Sequence, residues 1–405
     1  MDIKPILSAL SRHRVAMTLI VLEIALACAV LCNAFFLITG RLALIRTDSG
    51  VPETSLAFVA LRGCDGCRHA DVNGRVAAAL RAVPGVKAAG PVNAMPFGIR
   101  AGDAGVTLDR EGKHFGGVPH FYTFGPGAIE ALGLRPERGR AFTADDFQPT
   151  DNFLPASSQV WVTRALAEHL WPGEDPLGRE FWMADLHFRV AGVLAHFSRP
   201  NPGRNENGIA SKEWSVIVPL SDESQSGVYA VRADPADLSR IADAARRAVA
   251  AAVPESVLDL DYSRTLQDLR DRYFRADRAM AWLLVAVVAT MLLVTALGIV
   301  GLASFWVQQR TKQIGIRRAL GATRGDILRY FQTENFLLAG FGIALGMLLA
   351  YGGNLLLMHF FELSRLPLSY LPWGALTLWL LGQLAVLGPA RKAMSIPPAL
   401  ATRTA

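Results

Sequence analysis

The sequence is poor in charge and in cysteine. Only 19% of its 405 residues are charged, against about 25% in an ordinary soluble domain. The shortfall is uneven: long uncharged runs lie beside stretches of normal charge, which excludes a disordered chain and argues against a wholly soluble enzyme. Four cysteines exclude a disulfide-dense scaffold. No G-x-x-x-x-G-K-[ST] stretch occurs, so the chain lacks that loop for cradling nucleotide phosphates. No Ser/His/Asp or paired-carboxylate constellation stands out. The net charge of +6 would suit a nucleic-acid surface if the basic residues were gathered on a soluble face. They lie beside the apolar runs instead, and no nucleic-acid partner is expected.

Between Val15 and Gly40 only Glu23 is charged, and nothing from Ala279 to Gln309, Asn335 to Phe361 or Leu366 to Ala390 carries a charge. A helix needs about 20 residues to cross a bilayer. These runs predict transmembrane helices at 15–40, 279–309, 335–358 and 372–388, the last shortened because Pro367, Pro372 and Pro389 interrupt its run. The first run exceeds the apolar region of a signal peptide and has no clear A-x-A site after it, so it reads as an uncleaved anchor. Lys4, Arg12 and Arg14 precede it. Arg310, Lys312, Arg317, Arg318, Arg324 and Arg329 follow the second helix, and Arg391, Lys392 and Arg403 follow the fourth. The positive-inside rule then places 1–14, 310–334 and 389–405 in the cytoplasm, with 41–278 and the short loop 359–371 facing outward.

The outward segment has the composition of a soluble fold. Helices are expected at Val72–Val83, Ala128–Leu132, Thr163–Leu170 with Thr163 as N-cap, and Leu238–Val253. Strands are expected at Phe188–Leu194, Trp214–Leu220 and Gly227–Ala233. The mixture predicts a large extracytoplasmic α+β domain on an α-helical membrane protein. Arg264–Arg278 reads as a charged helix running unbroken into the second membrane helix, as a stiff lever.

Several residues invite a role. Glu23 lies within the first apolar run, where a carboxylate is costly unless paired or wetted. It reads equally as a contact at a helix interface or central cavity and as a side chain reaching the inner headgroups. Glu334 reads as an acid at the start of the third helix, favoured there by the helix dipole. Gly342, Gly346 and Ala350 form a small-residue stripe for close helix packing, internal or between copies. Cys28 and Cys32, one turn apart, read as packing residues. Cys64 and Cys67 form C-x-x-C and read first as a local structural disulfide. Free thiols are the alternative, as is redox or metal chemistry with His69 and the distant His114 and His120. Phe115, Phe121, Tyr122 and Phe124 read as core, with binding of a partner or substrate as the alternative.

The cytoplasmic segment RTKQIGIRRALGATRGD (Arg310–Asp326) resembles the signature after the second helix of permeases in the MacB/FtsX superfamily of ABC transporters. The tail PARKAMSIPPALATR (Pro389–Arg403) resembles that superfamily's closing motif. LRAVPGV (Leu80–Val86), ALGLRPERGRAFTADD (Ala131–Asp146) and VWVTRALAEHLWPGEDPLGREF (Val160–Phe181) are similar to stretches of the MacB-type periplasmic domain. The resemblance implies that Gln313–Ala322 docks on an ATPase. Ile314, Ile316, Ala319 and Leu320 would supply apolar contact, Arg317 and Arg318 charge, and Gly315 and Gly321 close approach or a helix break, with Ala322 closing the element. Without the resemblance the same residues read as an amphipathic helix attracted to anionic lipid.

MacB carries its ATPase on the same polypeptide, and this sequence carries none, so the resemblance implies a separate ATPase chain that holds ATP and Mg. No cofactor and no metal are expected on this chain. The implied setting is a bacterial inner membrane. The implied partners are a second permease (itself or a sister), a periplasmic membrane-fusion adaptor and an outer-membrane channel, and the implied task is export. Rival readings are a lipoprotein-releasing permease, an FtsX-like signalling permease controlling a wall hydrolase, and a periplasmic redox enzyme using Cys64 and Cys67.

Overall fold

The computed structural model describes residues 14–63, 67–99, 102–150, 152–203, 208–222, 227–361 and 365–397. The N-terminus to residue 13, Cys64 and the tail from residue 398 lie outside the described residues. The chain starts with helix α1 (Arg14–Ile45), then β1 (Leu56–Arg62), α2 (His69–Ala82), β2 (Ala88–Val92), β3 (Val106–Thr107), β4 (Phe115–Gly117) and β5 (His120–Phe124). There follow α3 (Ala128–Leu132), β6 (Arg138–Gly139), β7 (Ser157–Thr163), α4 (Arg164–Leu170), β8 (Glu180–Met183), β9 (Leu186–Leu194), β10 (Ser215–Pro219) and β11 (Val228–Arg232). The last elements are α5 (Leu238–Ala252), β12 (Val257–Leu258), α6 (Leu266–Tyr273), α7 (Arg275–Gln309), α8 (Thr311–Ala319), α9 (Arg324–Phe361) and α10 (Tyr370–Met394). They fall into two bodies, residues 43–276 and residues 1–42 with 277–405.

The first body is α+β. Its strands form one sheet in the order β12-β1-β11-β2-β5-β10-β7-β9-β8-β3-β4, with β6 on β9. Pairing is antiparallel except for β5–β10 and β7–β9. All five residues of β10 (SVIVP) are buried, as an unbroken apolar run in a central strand requires. Val72, Val76 and Leu80 of α2 and Ile241, Ala242, Ala245 and Val249 of α5 repeat at helical spacing and pack on Val59, Tyr229 and Val231 of the sheet. Around β7, β8, β9 and α4 a separate cluster gathers Val160, Val162, Leu166, Phe181 and Phe188.

Four details depart from the expectations. Helix α2 starts three residues early, at His69. Thr163 precedes α4, but its hydroxyl donates to the Glu213 carbonyl and caps nothing. Strand β9 is joined to the unforeseen β8 by a tight turn in which Ala184 takes φ +52°. The charged helix before α7 is interrupted: α6 ends at Phe274 (φ −91°, ψ 7°), a fully buried ring in the α+β core, and α7 begins at Arg275.

The second body is helical. Among the described residues four helices are long and apolar enough to cross a membrane, over Met17–Ile45, Arg275–Gln309, Arg324–Leu356 and Tyr370–Met394. The third helix starts at Arg324, ahead of residue 335, so a short helix and a turn link α7 to α9. The fourth starts at Tyr370 because Pro372 falls in the first helical turn, where its missing N–H has no partner to lose. It also runs on through buried Pro389 to Met394.

Helix α1 is held by close approach. A Cβ on Gly346 would lie 2.5 Å from Cys28 Cβ and 2.6 Å from the Ala25 carbonyl oxygen, and one on Gly342 would lie 2.7 Å from Ile24 Cγ2. A Cβ on Gly374 of α10 would meet Cys32 Sγ at 2.5 Å. The small-residue stripe is therefore an internal contact. Cys28 and Cys32 are free thiols buried in it. Asn33 Nδ2 donates to Ala350 O at 3.4 Å along the same seam. Near its end, Arg41 Nη1 pairs with Asp277 Oδ1 at 2.6 Å, joining α1 to α7.

Gly346→Leu is expected to destabilise the detergent-solubilised protein by at least about 1–3 kcal/mol through overpacking against the α1 backbone. Gly352→Leu on the same helix, where an added Cβ meets nothing within 4 Å, is expected to leave thermal unfolding unchanged. Equal unfolding temperatures for the two variants would refute the seam.

Candidate functional site

The segment after α7 is built by end signals. Arg310 alone separates α7 from α8, with non-helical φ −98° and ψ 10°. Helix α8 stops at Gly321, whose φ of +100° suits glycine. Gly321 N–H donates to Arg318 O at 3.2 Å and Ala322 N–H to Arg317 O at 3.1 Å, the bonding pattern of a glycine-terminated helix end. Helix α9 then opens with a reciprocal cap. Asp326 N–H donates to Thr323 Oγ1 at 3.2 Å, and Thr323 N–H donates to Asp326 Oδ2 at 3.0 Å. L-G-A-T-R-G-D is thus a stop, a link and a start.

Of the residues expected to dock on an ATPase, the structure divides two groups. Ile314 (5% exposed) and Gly315 are buried, Ile314 in a cluster with Ile327, Phe331, Ala390 and Ala393. Ile316 (47%), Ala319 and Leu320 (83%) are exposed. The 100° step of a helix explains the split, since Ile316 and Leu320 share a face that Ile314 does not. The two arginines make contacts within the chain. Arg318 Nη1 donates to Met394 O at 3.0 Å and to Ile396 O, at the carbonyl end of α10. The Arg317 guanidinium lies 4.9 Å from the Tyr330 ring centroid.

Glu334 is not at the start of its helix. It lies ten residues inside α9, 1% exposed, and Arg310 Nη1 donates to both its oxygens at 3.0 Å. Tyr330 Oη is 3.4 Å from the same nitrogen, and the Trp306 ring centroid is 5.5 Å from the guanidinium. Sequence reasoning missed this pair because it took Glu334 for a helix terminus. The T-x-x-D cap at Thr323 was the available signal that α9 begins earlier.

Glu23 is half-buried, and its carboxylate lies against α7: a Cβ on Gly298 would stand 2.8 Å from its Oε2. This is the helix-interface placement. Cys67 is disulfide-bonded, and Cys64 lies outside the described residues. Two of the histidines suggested as metal ligands, His114 and His120, have local acids. His114 Nδ1 is 2.7 Å from Asp109 Oδ2, and buried His120 Nδ1 is 2.8 Å from Asp103 Oδ1. Among the described residues no three His, Cys, Asp or Glu side chains group as a metal site. Phe121, Tyr122 and Phe124 are core, whereas Phe115 is 68% exposed.

Asp103 also accepts from Arg199 Nη2 at 2.8 Å, and Arg199 is fully buried. Burial alone would raise the Asp103 carboxyl, but His120 and Arg199 outweigh it and bring it down to about 2. A carboxylate lowered from 3.8 stabilises the fold above its unfolded value and loses that contribution as the pH falls toward 2. Asp103→Asn is expected to cost at least about 2 kcal/mol at pH 7. The gap between variant and parent in thermal unfolding should narrow below pH 4. A gap that stays constant down to pH 2.5 would contradict the pairing.

Comparison with known proteins places these two bodies. A family described as MacB-like periplasmic core domain matches residues 17–248, and one described as FtsX-like permease C-terminal matches residues 285–398. A macrolide export ATP-binding/permease protein MacB of Rhodospirillum rubrum is 32% identical over 267 residues, 63% of this chain and 39% of that protein. The ABC transporter permease YknZ of Bacillus subtilis is 26% identical over 293 residues, 68% of each. A pyoverdine export ATP-binding/permease protein PvdT of Pseudomonas aeruginosa is 27% identical over 337 residues, 80% of this chain and 46% of that protein. The chain thus spans less than half the length of these MacB and PvdT relatives. The crystal structure of the periplasmic region of MacB from Actinobacillus actinomycetemcomitans matches 52% of this chain and 89% of its own, at 15% identity and a TM-score of 0.35. The family matches cover both the α+β body and the apolar helices that follow it: the chain belongs to the MacB/FtsX-type ABC transporter permeases.

Proposed function

We propose that this chain is the permease subunit of a mechanotransmission ABC transporter. A separate ATPase, holding ATP and Mg, docks on α8 and drives a change in the extracytoplasmic domain that exports a substrate collected outside the membrane. Two permeases pair over two ATPases in the inner membrane, with both termini cytoplasmic, and the extracytoplasmic domain works with a membrane-fusion adaptor and an outer-membrane channel. The substrate class follows the relatives whose names are export proteins, for macrolides and for pyoverdine.

One observation carries this reading. Leu320 and Ile316 are large apolar side chains left exposed on a short helix next to cationic Lys312, Arg317 and Arg324. A leucine exposed beside like charges suits burial against a partner, at about 1.5–3 kcal/mol for a full Leu. The cations sort such a partner by charge. An interfacial helix would also place apolar side chains in lipid, so ATPase capture is the discriminating measurement.

Leu320→Asp should leave thermal unfolding unchanged and cut co-purification with the ATPase by about tenfold or more. Ile314→Asp, at a buried site, should instead destabilise the permease itself. Undiminished ATPase capture by Leu320→Asp would overturn the docking face.

A further inference from the structure

Helix α8 has nine residues, too few to hold a helical shape or a direction unaided. Its link to α7 is a single non-helical residue, Arg310. Two backbone bonds cross that joint, Arg310 N–H to Trp306 O at 3.0 Å and Ile314 N–H to Arg310 O at 2.9 Å, and side chains hold the two ends of α8 as well. At the start, Arg310 Nη1 donates to both oxygens of buried Glu334 of α9 at 3.0 Å. At the finish, Arg318 Nη1 donates to the Met394 and Ile396 carbonyls at the end of α10. Between these points Ile314 is buried against residues of α9 and α10. Helices α9 and α10 are themselves joined: Phe336 stacks on Trp379 with centroids 5.2 Å apart, and Gln383 Nε2 donates to Gln332 O at 3.4 Å.

We propose that Arg310 and Arg318 are positioning residues that clamp the two ends of α8 onto α9 and α10, so that the docking face moves together with these two helices. The inference rests on the docking reading given above. A push on Leu320 and Ile316 reaches α9 through the buried ion pair and α10 through the capped carbonyls. Without the clamp only the backbone bonds across Arg310 hold α8 in direction, and part of the push is lost in bending there. The two ties suit arginine, whose planar fork fixes direction where an ammonium would not. Both arginines face inward to this chain's own groups, which leaves Leu320 and Ile316 for the partner.

The test uses the full-length permease in lipid nanodiscs with the ATPase that co-purifies with it. Two quantities are read: ATPase binding, and the permease-dependent change in hydrolysis rate. Arg310→Gln, Glu334→Gln and Arg318→Gln should each bind the ATPase within about threefold of the parent while losing about tenfold of the permease-dependent rate. The double variant Arg310→Glu with Glu334→Arg should return to within about threefold, because the pair and not either charge carries the effect. Should the glutamine variants fail to fold, Glu334→Asp keeps the charge and shortens its reach, and should lose rate by about threefold with binding intact. Parental hydrolysis in all single variants, a charge swap no better than its parts, or loss of ATPase binding in the single variants would each overturn the clamp. Leu320→Asp separates the two readings: if it leaves binding untouched, the docking face is wrong and the clamp falls with it. If it abolishes binding while the clamp variants hydrolyse normally, only the clamp fails.

Discussion

The helical body depends on the close approach of α1 to its neighbours. In lipid, apolar side chains gain little by meeting one another, so helix association relies on shape and on polar contacts. Gly342, Gly346 and Gly374 remove the side chains that would hold α1 away, and the Asn33 amide adds a donor along the seam. Every later feature assumes this placement. Glu23 lies on α1 and rests against Gly298 of α7, and Arg41 on the same helix meets Asp277. A shifted α1 would leave both carboxylates without their present surroundings.

At the other end of α7, polar chemistry takes over from shape. The α8 segment is short, interrupted by glycine and attached by one residue. It is ordered by arginines that answer groups left over by neighbouring helices: a buried carboxylate on α9 and terminal carbonyls on α10. Helix ends leave carbonyls unpaired, and a guanidinium is well suited to take them. Large apolar side chains, Ile316 and Leu320, are exposed here while an ion pair is enclosed, unlike an ordinary surface helix.

Much of the architecture was legible because its signals are long. Four long apolar runs, three of them uncharged, announced four helices, and the alanine-rich periodicity of α5 and the valine-rich β10 spoke for themselves. What escaped were features set by one or two residues. Ala184 adopts a left-handed conformation that glycine or asparagine would have advertised, so the β8–β9 hairpin was silent. Thr163 looked like a cap, but the Glu213 carbonyl, fifty residues away, took its hydroxyl. The break at Phe274 has no proline or glycine to mark it; the ring is drawn into the α+β core and the helix yields. In the segment after α7 the inward or outward direction of each residue depended on where α9 begins. Counting the helix from Asn335 instead of Arg324 hid both the Glu334 pair and the inward turn of Ile314.

The enclosure of Glu334 has a consequence for how the permease meets its surroundings. Mobile ions weaken attraction between charges only where they can enter between them, over a Debye length of about 8 Å at physiological ionic strength. In the Arg310–Glu334 contact Glu334 is enclosed and Arg310 lies beside Trp306 and Tyr330, which restricts the entry of such ions. Salt therefore loosens this joint less than it screens the exposed cations Arg317 and Arg324 nearby.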